Sequence, residues 1–367
     1  MGPLNGVKVL EFSGIGPGPY CGMLLADMGA DVIRLSRINS KDSHNKLDIH
    51  NRSKRSIVAD LKNQDSVKEV LKLISSVDVV FEGFRPGVME KLGLGPQDCF
   101  KVNKALVYGR MTGWGQDGPM SKKAGHDINY ISLTGALHAI GKKDSNPAIP
   151  LNLVGDYGGG GMMLAMGILA AVISSIKTGK GQVVDSAMVD GSLSLMSLFY
   201  SLKEMGYWKD ERESNFLDGA SHFYNTYECS DKKYLAVGAI EPEFYSILLE
   251  KLGLSDPKFK EQMNKKIWEE LKDLIAKKIK SKPRSHWVNV FSDTDGCVSP
   301  ILNMDEAMSN EHNIARNAFV EIDGFKQPAP APRFSIDKLS IKHNSKKVGS
   351  DLDDVCKEFN LDRKAFI

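Results

Sequence analysis

Short β-branched runs alternating with stretches of helical periodicity restrict the fold of this chain more than any other feature. Such runs stand at 7–12, 31–35, 77–82 and 105–110, with helical patterns between them. Residues 19–28 carry Met23, Leu24, Ala26 and Met28 behind a Gly-Pro-Gly-Pro entry, and a proline suits the first turn, where its missing donor costs nothing. Residues 66–75 place Val67, Val70, Leu71 and Ile74 at helical spacing. Strand, helix and strand in this order feed parallel pairing with helices on the faces. The pattern predicts a large, Rossmann-like, doubly wound open sheet of the α/β class.

At 367 residues the chain exceeds what one ordinary core serves. After an apolar helix over 188–207, a charged connector at 209–215 reads as a domain exit. Beyond it, 223–229, a Ser-Asp-Lys-Lys turn and 234–240 read as a β-hairpin, and helical patterns follow at 242–252 and 266–280. The expected organisation is a large α/β domain over 1–187, a helical linker over 188–220, a small α+β domain over 221–310 and a return to the large domain over 311–367. The prolines of 327–333 should hold that stretch extended over the surface.

Composition narrows the function classes. With 48 basic and 46 acidic side chains the net charge is +2, so nothing pulls the whole chain toward nucleic acid, and an anion site has to be local. The longest apolar stretch, 162–173, is short for a bilayer span and reads as a buried helix, so no membrane association is expected. The first six residues give no basic n-region and no myristoylation signal, and the last residues are not the usual peroxisomal tripeptide. Compartment stays open: peroxisomal or mitochondrial in a eukaryote, cytoplasmic otherwise. Five scattered cysteines without Cys-x-x-Cys spacing read as reduced core thiols, and no metal site is expected.

The turn Gly14-Ile15-Gly16-Pro17-Gly18-Pro19 sits where a dinucleotide fingerprint would, but its prolines remove donors a pyrophosphate needs. Arg34, Arg37, Arg52, Lys54, Arg55, Lys62, Arg85 and Lys91 form either a solvated face or, with Arg37, Arg55 and Arg85 at or beyond strand ends, a phosphate site suited to CoA. Three carboxyl or imidazole groups stand at polar-to-helix junctions. His126 is a capping residue or a base, and Asp156, ahead of four glycines and an apolar helix, is a cap or an acid. Glu241, before Pro242, is a helix start or a partner of the other two. Backbone N–H groups near Gly158 and Gly159 are the expected oxyanion donors.

Several ordered blocks then resemble the family III CoA-transferases, in their 2-methylacyl-CoA racemase branch. They are Glu82-Gly83-Phe84-Arg85-Pro86-Gly87-Val88, Met111-Thr112-Gly113-Trp114-Gly115-Gln116, residues 124–130, Pro150-Leu151-Asn152-Leu153, Thr178-Gly179-Lys180-Gly181-Gln182-Val183 and Val237-Gly238-Ala239-Ile240-Glu241-Pro242. The resemblance implies interconversion of (2R)- and (2S)-2-methylacyl-CoA thioesters, with His126 and Asp156 flanking the α-carbon and Glu241 orienting or sharing the proton of His126. It implies CoA contacts from Arg37, from Val58, Ala59, Asp60 and Leu61, and from Gly125, Asp127, Ile128, Asn129 and Tyr130, with Arg85 and Lys91 as further ones. It also implies an interlocked homodimer whose sites form between the large domain of one copy and the small domain of the other. No cofactor is implied, since CoA is part of the substrate.

The rival within the same fold is a CoA-transferase with Asp156 as nucleophile. A noncatalytic CoA-binding protein is the other. One departure stands out: Ala220-Ser221-His222 follows Leu217-Asp218-Gly219, where Gly-Ala-Pro is usual in the family. A His222 near the domain entry bears on hinge geometry or acyl preference.

Overall fold

The computed structural model describes residues 2–38 and 45–366. Two compact units share the chain: Met1–Ala136, Pro150–Ser197 and Ile314–Ile367 make one, Leu137–Ile149 and Leu198–Asn313 the other.

The first unit is built on six parallel strands, β1 (Lys8–Phe12), β2 (Asp31–Arg37), β3 (Arg55–Ala59), β4 (Val79–Glu82), β5 (Val107–Thr112) and β6 (Gln182–Ala187), in the order β3-β2-β1-β4-β5-β6. This is the doubly wound sheet that the periodicity predicts. Two strands escape that reading. β3 begins with Arg55 and Ser56 inside a charged stretch, and β6 is an edge strand whose first four residues are exposed or half-exposed.

Alternation along each strand makes two cores. Val9, Val32, Val79 and Val107 go to one face, with helix α1 (Pro17–Asp27) and helix Met163–Thr178. Leu10, Ile33, Val80 and Tyr108 go to the other, with helix α2 (Gln64–Ile74) and helix Leu352–Glu358. Covering both faces is why these strands read as continuous apolar runs.

The basic residues do not form one surface. Lys54 is buried in an ion pair with Glu11 at 2.6 Å, and Arg52 in one with Asp27 at 2.5 Å while also donating to Gln327. Burial pushes the Glu11 carboxyl up and the Lys54 ammonium down, each against the pull of its partner. Arg55 lies at the start of β3, paired with Asp31 and Glu358, on the sheet edge opposite the strand ends where a phosphate was expected. Gln327, expected on the surface, is buried in strand Phe325–Pro328 under Arg52 and Asn344.

Helix Leu153–Thr178 is long and apolar enough to cross a bilayer by length and composition. Leu164, Ala165, Ile168 and Ala171 enter the core, while Met162, Met166, Ile173 and Ile176 are exposed, so the expected buried helix is buried on one face only. Four cysteines are buried thiols, as expected, but Cys297 is exposed.

The second unit carries an antiparallel sheet, β7 (Tyr224–Glu228), β8 (Tyr234–Gly238) and β9 (Val298–Ile301). The hairpin matches expectation, as does helix Pro242–Leu252. Trp268, Leu271, Ile275 and Ile279 of helix Trp268–Ile279 fill the core with Phe223, Tyr245 and Trp287. His222 belongs to this core. It is wholly buried, its Nε2 lies 2.6 Å from the Tyr245 hydroxyl, and burial lowers the imidazole to about 4.

Candidate active site

The order of strands reverses between β1 and β4, and an open α/β sheet leaves a crevice at such a point, beyond the carboxyl ends of its strands. A cavity of ≈ 730 Å³ occupies it, entirely within the first unit. Segments after β1, β4 and β5 line it, together with Gly125, His126, Asn152, Asp156 and Tyr157. The sequence thus brings its two candidate groups to one cavity from junctions some thirty residues apart.

His126 caps helix Asp127–Ile131 through its backbone. Its carbonyl accepts the Asn129 N–H at 2.8 Å, and its own N–H donates to Asn129 Oδ1 at 3.1 Å. The residue also lines the cavity. Tyr130 closes the turn behind it, its hydroxyl donating to the Gly125 carbonyl and its ring edge-on to Trp114 at 4.8 Å.

Asp156 lies in the first turn of a π-helix, Leu153–Met162, which runs on into helix Met163–Thr178. Tyr157 N–H donates to the Asn152 carbonyl at 3.3 Å, a five-residue step, so the N–H of Asp156 is left over. Asp127 Oδ1 accepts it at 2.7 Å. The Asp156 carboxylate in turn accepts from Asn152 Nδ2 at 3.0 Å. Asp127 is only 6% exposed, and burial raises its carboxyl despite that backbone donor. Gly155 permits the approach, since a Cβ there would meet Asp127 Oδ1 at 2.4 Å.

The run of four glycines is explained by packing. Helix Met188–Leu195 presses on the π-helix so closely that a Cβ on Gly191 would lie 1.9 Å from the Gly159 carbonyl oxygen. Gly158 and Gly159 stand inside the π-helical turns, where N–H groups bond back along the helix, so they do not offer the free oxyanion donors expected of them.

Glu82, at the end of β4, is a cavity residue that sequence reasoning treated only as part of a motif. Burial raises its carboxyl to about 7, against the Phe84 N–H, which donates to Oε2 at 2.6 Å, and the Arg110 guanidinium at 3.9 Å. Asn152 and Tyr157 were also missed as site residues. The signal available for Asn152 was its spacing of four from Asp156, one helical turn.

A second cavity, of ≈ 450 Å³, is lined by Arg37, Ala59, Asp60 and Leu61 with Phe84 and Val88. The Arg37 guanidinium lies 5.9 Å from the centre of the Phe84 ring. Phe84 lines both cavities, and Arg85 lines the first. Among the other expected contacts, Val58 packs toward Gly349 and the core, Lys91 is exposed outside both cavities, and Ile128 and Asn129 face outward from their short helix. Glu241 caps helix Pro242–Leu252 in the second unit.

Comparison with known proteins agrees with this architecture. The chain is 41% identical to α-methylacyl-CoA racemase of Mus musculus, over 99% of its own length and 95% of the relative's. It is 40% identical to the Homo sapiens protein of the same name, over 98% and 94%. A crystal structure of a CAIB/BAIF family protein from Brucella suis superposes with a TM-score of 0.85 at 25% identity, covering 98% of this chain and 99% of the other. The model of CoA-transferase family III matches residues 4–349, and the chain belongs to that family.

Proposed function

We propose that this chain is a racemase that inverts the α-carbon of 2-methyl-branched acyl-CoA thioesters, with His126 and Asp156 as its acid/base pair. A thioester acidifies its α-hydrogen because the enolate moves charge onto the carbonyl oxygen. Inversion then requires a proton acceptor on one face and a donor on the other. The observation that carries this assignment is that His126 and Asp156 line one cavity from two separate junctions, tied together by Asp127. His126 removes the proton from one epimer and Asp156 delivers one to the opposite face; the roles exchange for the other epimer. Asn152 holds the Asp156 carboxylate in place. The thioester carries its own activating group, so no cofactor enters the reaction.

We assign the nucleotide end of CoA to the cavity of Arg37, Ala59, Asp60 and Leu61, and its pantetheine arm to the path past Phe84 and Arg85, since Phe84 belongs to both cavities. Gly125 and Tyr130 shape the wall at the thioester, and Asp127 supports it from behind through the N–H of Asp156. The exposed apolar face Met162, Met166, Ile173 and Ile176 favours a homodimer in which a second copy covers it. In that dimer Glu241 of one copy orients His126 of the other.

The test is incubation of one 2-methylacyl-CoA epimer in deuterated water without an acceptor acid. Uptake of α-deuterium with formation of the other epimer is expected. Absence of uptake, together with CoA exchange into added carboxylate, would instead establish a transferase with Asp156 as nucleophile.

A further inference from the structure

The proton transfer makes no use of a pair of charges buried in the first unit. Glu11, on β1, is wholly buried, and Lys54, just ahead of β3, is 2% exposed, with its Nζ 2.6 Å from Glu11 Oε2. Glu11 Oε1 has no hydrogen-bond partner among the described residues. Two ions taken out of water with one oxygen unserved add little to a core, because apolar side chains of similar volume hold a fold at least as well. What an apolar pair cannot do is fix a neighbouring polar group. Lys54 does so, since its Nζ also donates to the Pro19 carbonyl at 2.9 Å.

Both partners lie under the start of α1. A Cβ on Gly22 would meet Glu11 Oε2 at 2.0 Å and Lys54 Nζ at 2.7 Å, so the helix rests directly on the pair. Pro17 and Pro19 have no N–H, and the carbonyl that Lys54 holds is the one hydrogen-bonding group in the backbone of Pro19. On its other side the same turn packs against the π-helix that carries Asp156. A Cβ on Gly161 would lie 2.7 Å from the Pro17 carbonyl oxygen, and one on Gly160 would lie 3.0 Å from Pro17 Cβ. Gly16 comes nearest to the reacting group. Its φ is +67°, and a Cβ there would stand 3.1 Å from Asp156 Oδ2. Close contacts therefore run from the ion pair, through residues 16–19, to the carboxylate.

We infer that Glu11 and Lys54 are positioning residues for Asp156. The pair fixes the turn at residues 16–19 above the sheet, and the turn sets where the Asp156 carboxylate can stand relative to the α-carbon of the substrate. The inference rests on the acid/base role proposed above for Asp156. His126 belongs to a different helix start, so displacement of the turn falls on Asp156 first.

The experiment compares the parent with Lys54→Met and with the double variant Glu11→Leu, Lys54→Met. Urea denaturation, epimer interconversion and α-deuterium exchange from each separate epimer are measured on all three. The double variant should regain most of the stability that the single variant loses. Its kcat for inversion should nevertheless stay on the order of 100-fold below the parent, the loss expected from a shift of about 1 Å at a reacting group, with KM within about threefold. Exchange should fall unevenly. The epimer that His126 deprotonates, identified as the one still exchanged by Asp156→Asn, should keep roughly tenfold more of its rate than the other. If the double variant does not fold, Gly16→Ala, which presses on the carboxylate from the same turn, should give the same uneven loss. A folded double variant that inverts within about twofold of the parent or loses exchange equally from both epimers, or a Gly16→Ala protein with parental exchange, would overturn the inference and leave the racemase assignment standing. No exchange from either epimer by the parent would overturn the racemase assignment and this inference with it.

Discussion

Replacing Asp127 by alanine tests how the two candidate groups are held together. Its carboxylate is buried and accepts the N–H of Asp156 at 2.7 Å, while its own backbone begins the helix that His126 caps. Alanine leaves that N–H without a partner beside a small void. The unpaired donor costs about 1–3 kcal/mol, which would lower Tm by roughly 2–8 °C for a chain of this size. The catalytic effect is larger than the loss in stability, because a shift of about 1 Å in Asp156 relative to His126 costs on the order of 100-fold in rate. Asparagine keeps an acceptor oxygen at the same place, so Asp127→Asn should fold like the parent and racemise within about tenfold of it. The assay is epimer interconversion followed by α-deuterium uptake, with Tm measured on the same samples. An alanine variant within twofold of the parental rate would refute the bridging role.

Three other outcomes follow. Glu82 has its carboxyl raised to about 7 from 4.5, so its contribution to stability is fully present below the unfolded value and is lost as pH rises through about 7. Glu82→Gln should flatten the fall in unfolding free energy between pH 5 and 8 by up to about 3 kcal/mol, read by urea denaturation; an unchanged slope would count against the buried carboxyl. Lys54→Met strands the wholly buried Glu11 and should cost about 3–5 kcal/mol, with most of it regained in the double variant Glu11→Leu, Lys54→Met. If sites are shared as in the homodimer proposed above, mixing His126→Ala with Glu241→Ala should restore about a quarter of the parental rate after subunit exchange, because one site of each mixed dimer would then be intact. No recovery would mean that each copy builds its site alone.

The sheet was legible because buried parallel strands must be apolar on both faces, and Val9-Leu10, Val32-Ile33 and Val79-Val80 each supply one residue to each core. β3 and β6 were not legible, since arginine and serine lead one and the other lies exposed at the edge. The positions of His126 and Asp156 at helix starts could be read from the local pattern of turns and apolar residues. Their joining by Asp127 could not, because it depends on a π-helical turn that leaves one N–H free, and no residue spacing announces that. The same limit explains the basic residues. Arg52, Lys54 and Arg55 have the composition of a surface, and only the fold reveals that Asp27, Glu11 and Asp31 wait for them.

The central claim is that His126 and Asp156 act from opposite faces of one α-carbon, and the direct measurement is α-hydrogen exchange of each separate epimer by His126→Asn and Asp156→Asn in deuterated water. Each variant keeps one of the two groups. The account predicts that neither variant inverts its substrate, and that each exchanges the α-hydrogen of one epimer only, with retention, the two variants choosing opposite epimers. Inversion at near the parental rate by either variant, or exchange of the same epimer by both, would contradict it.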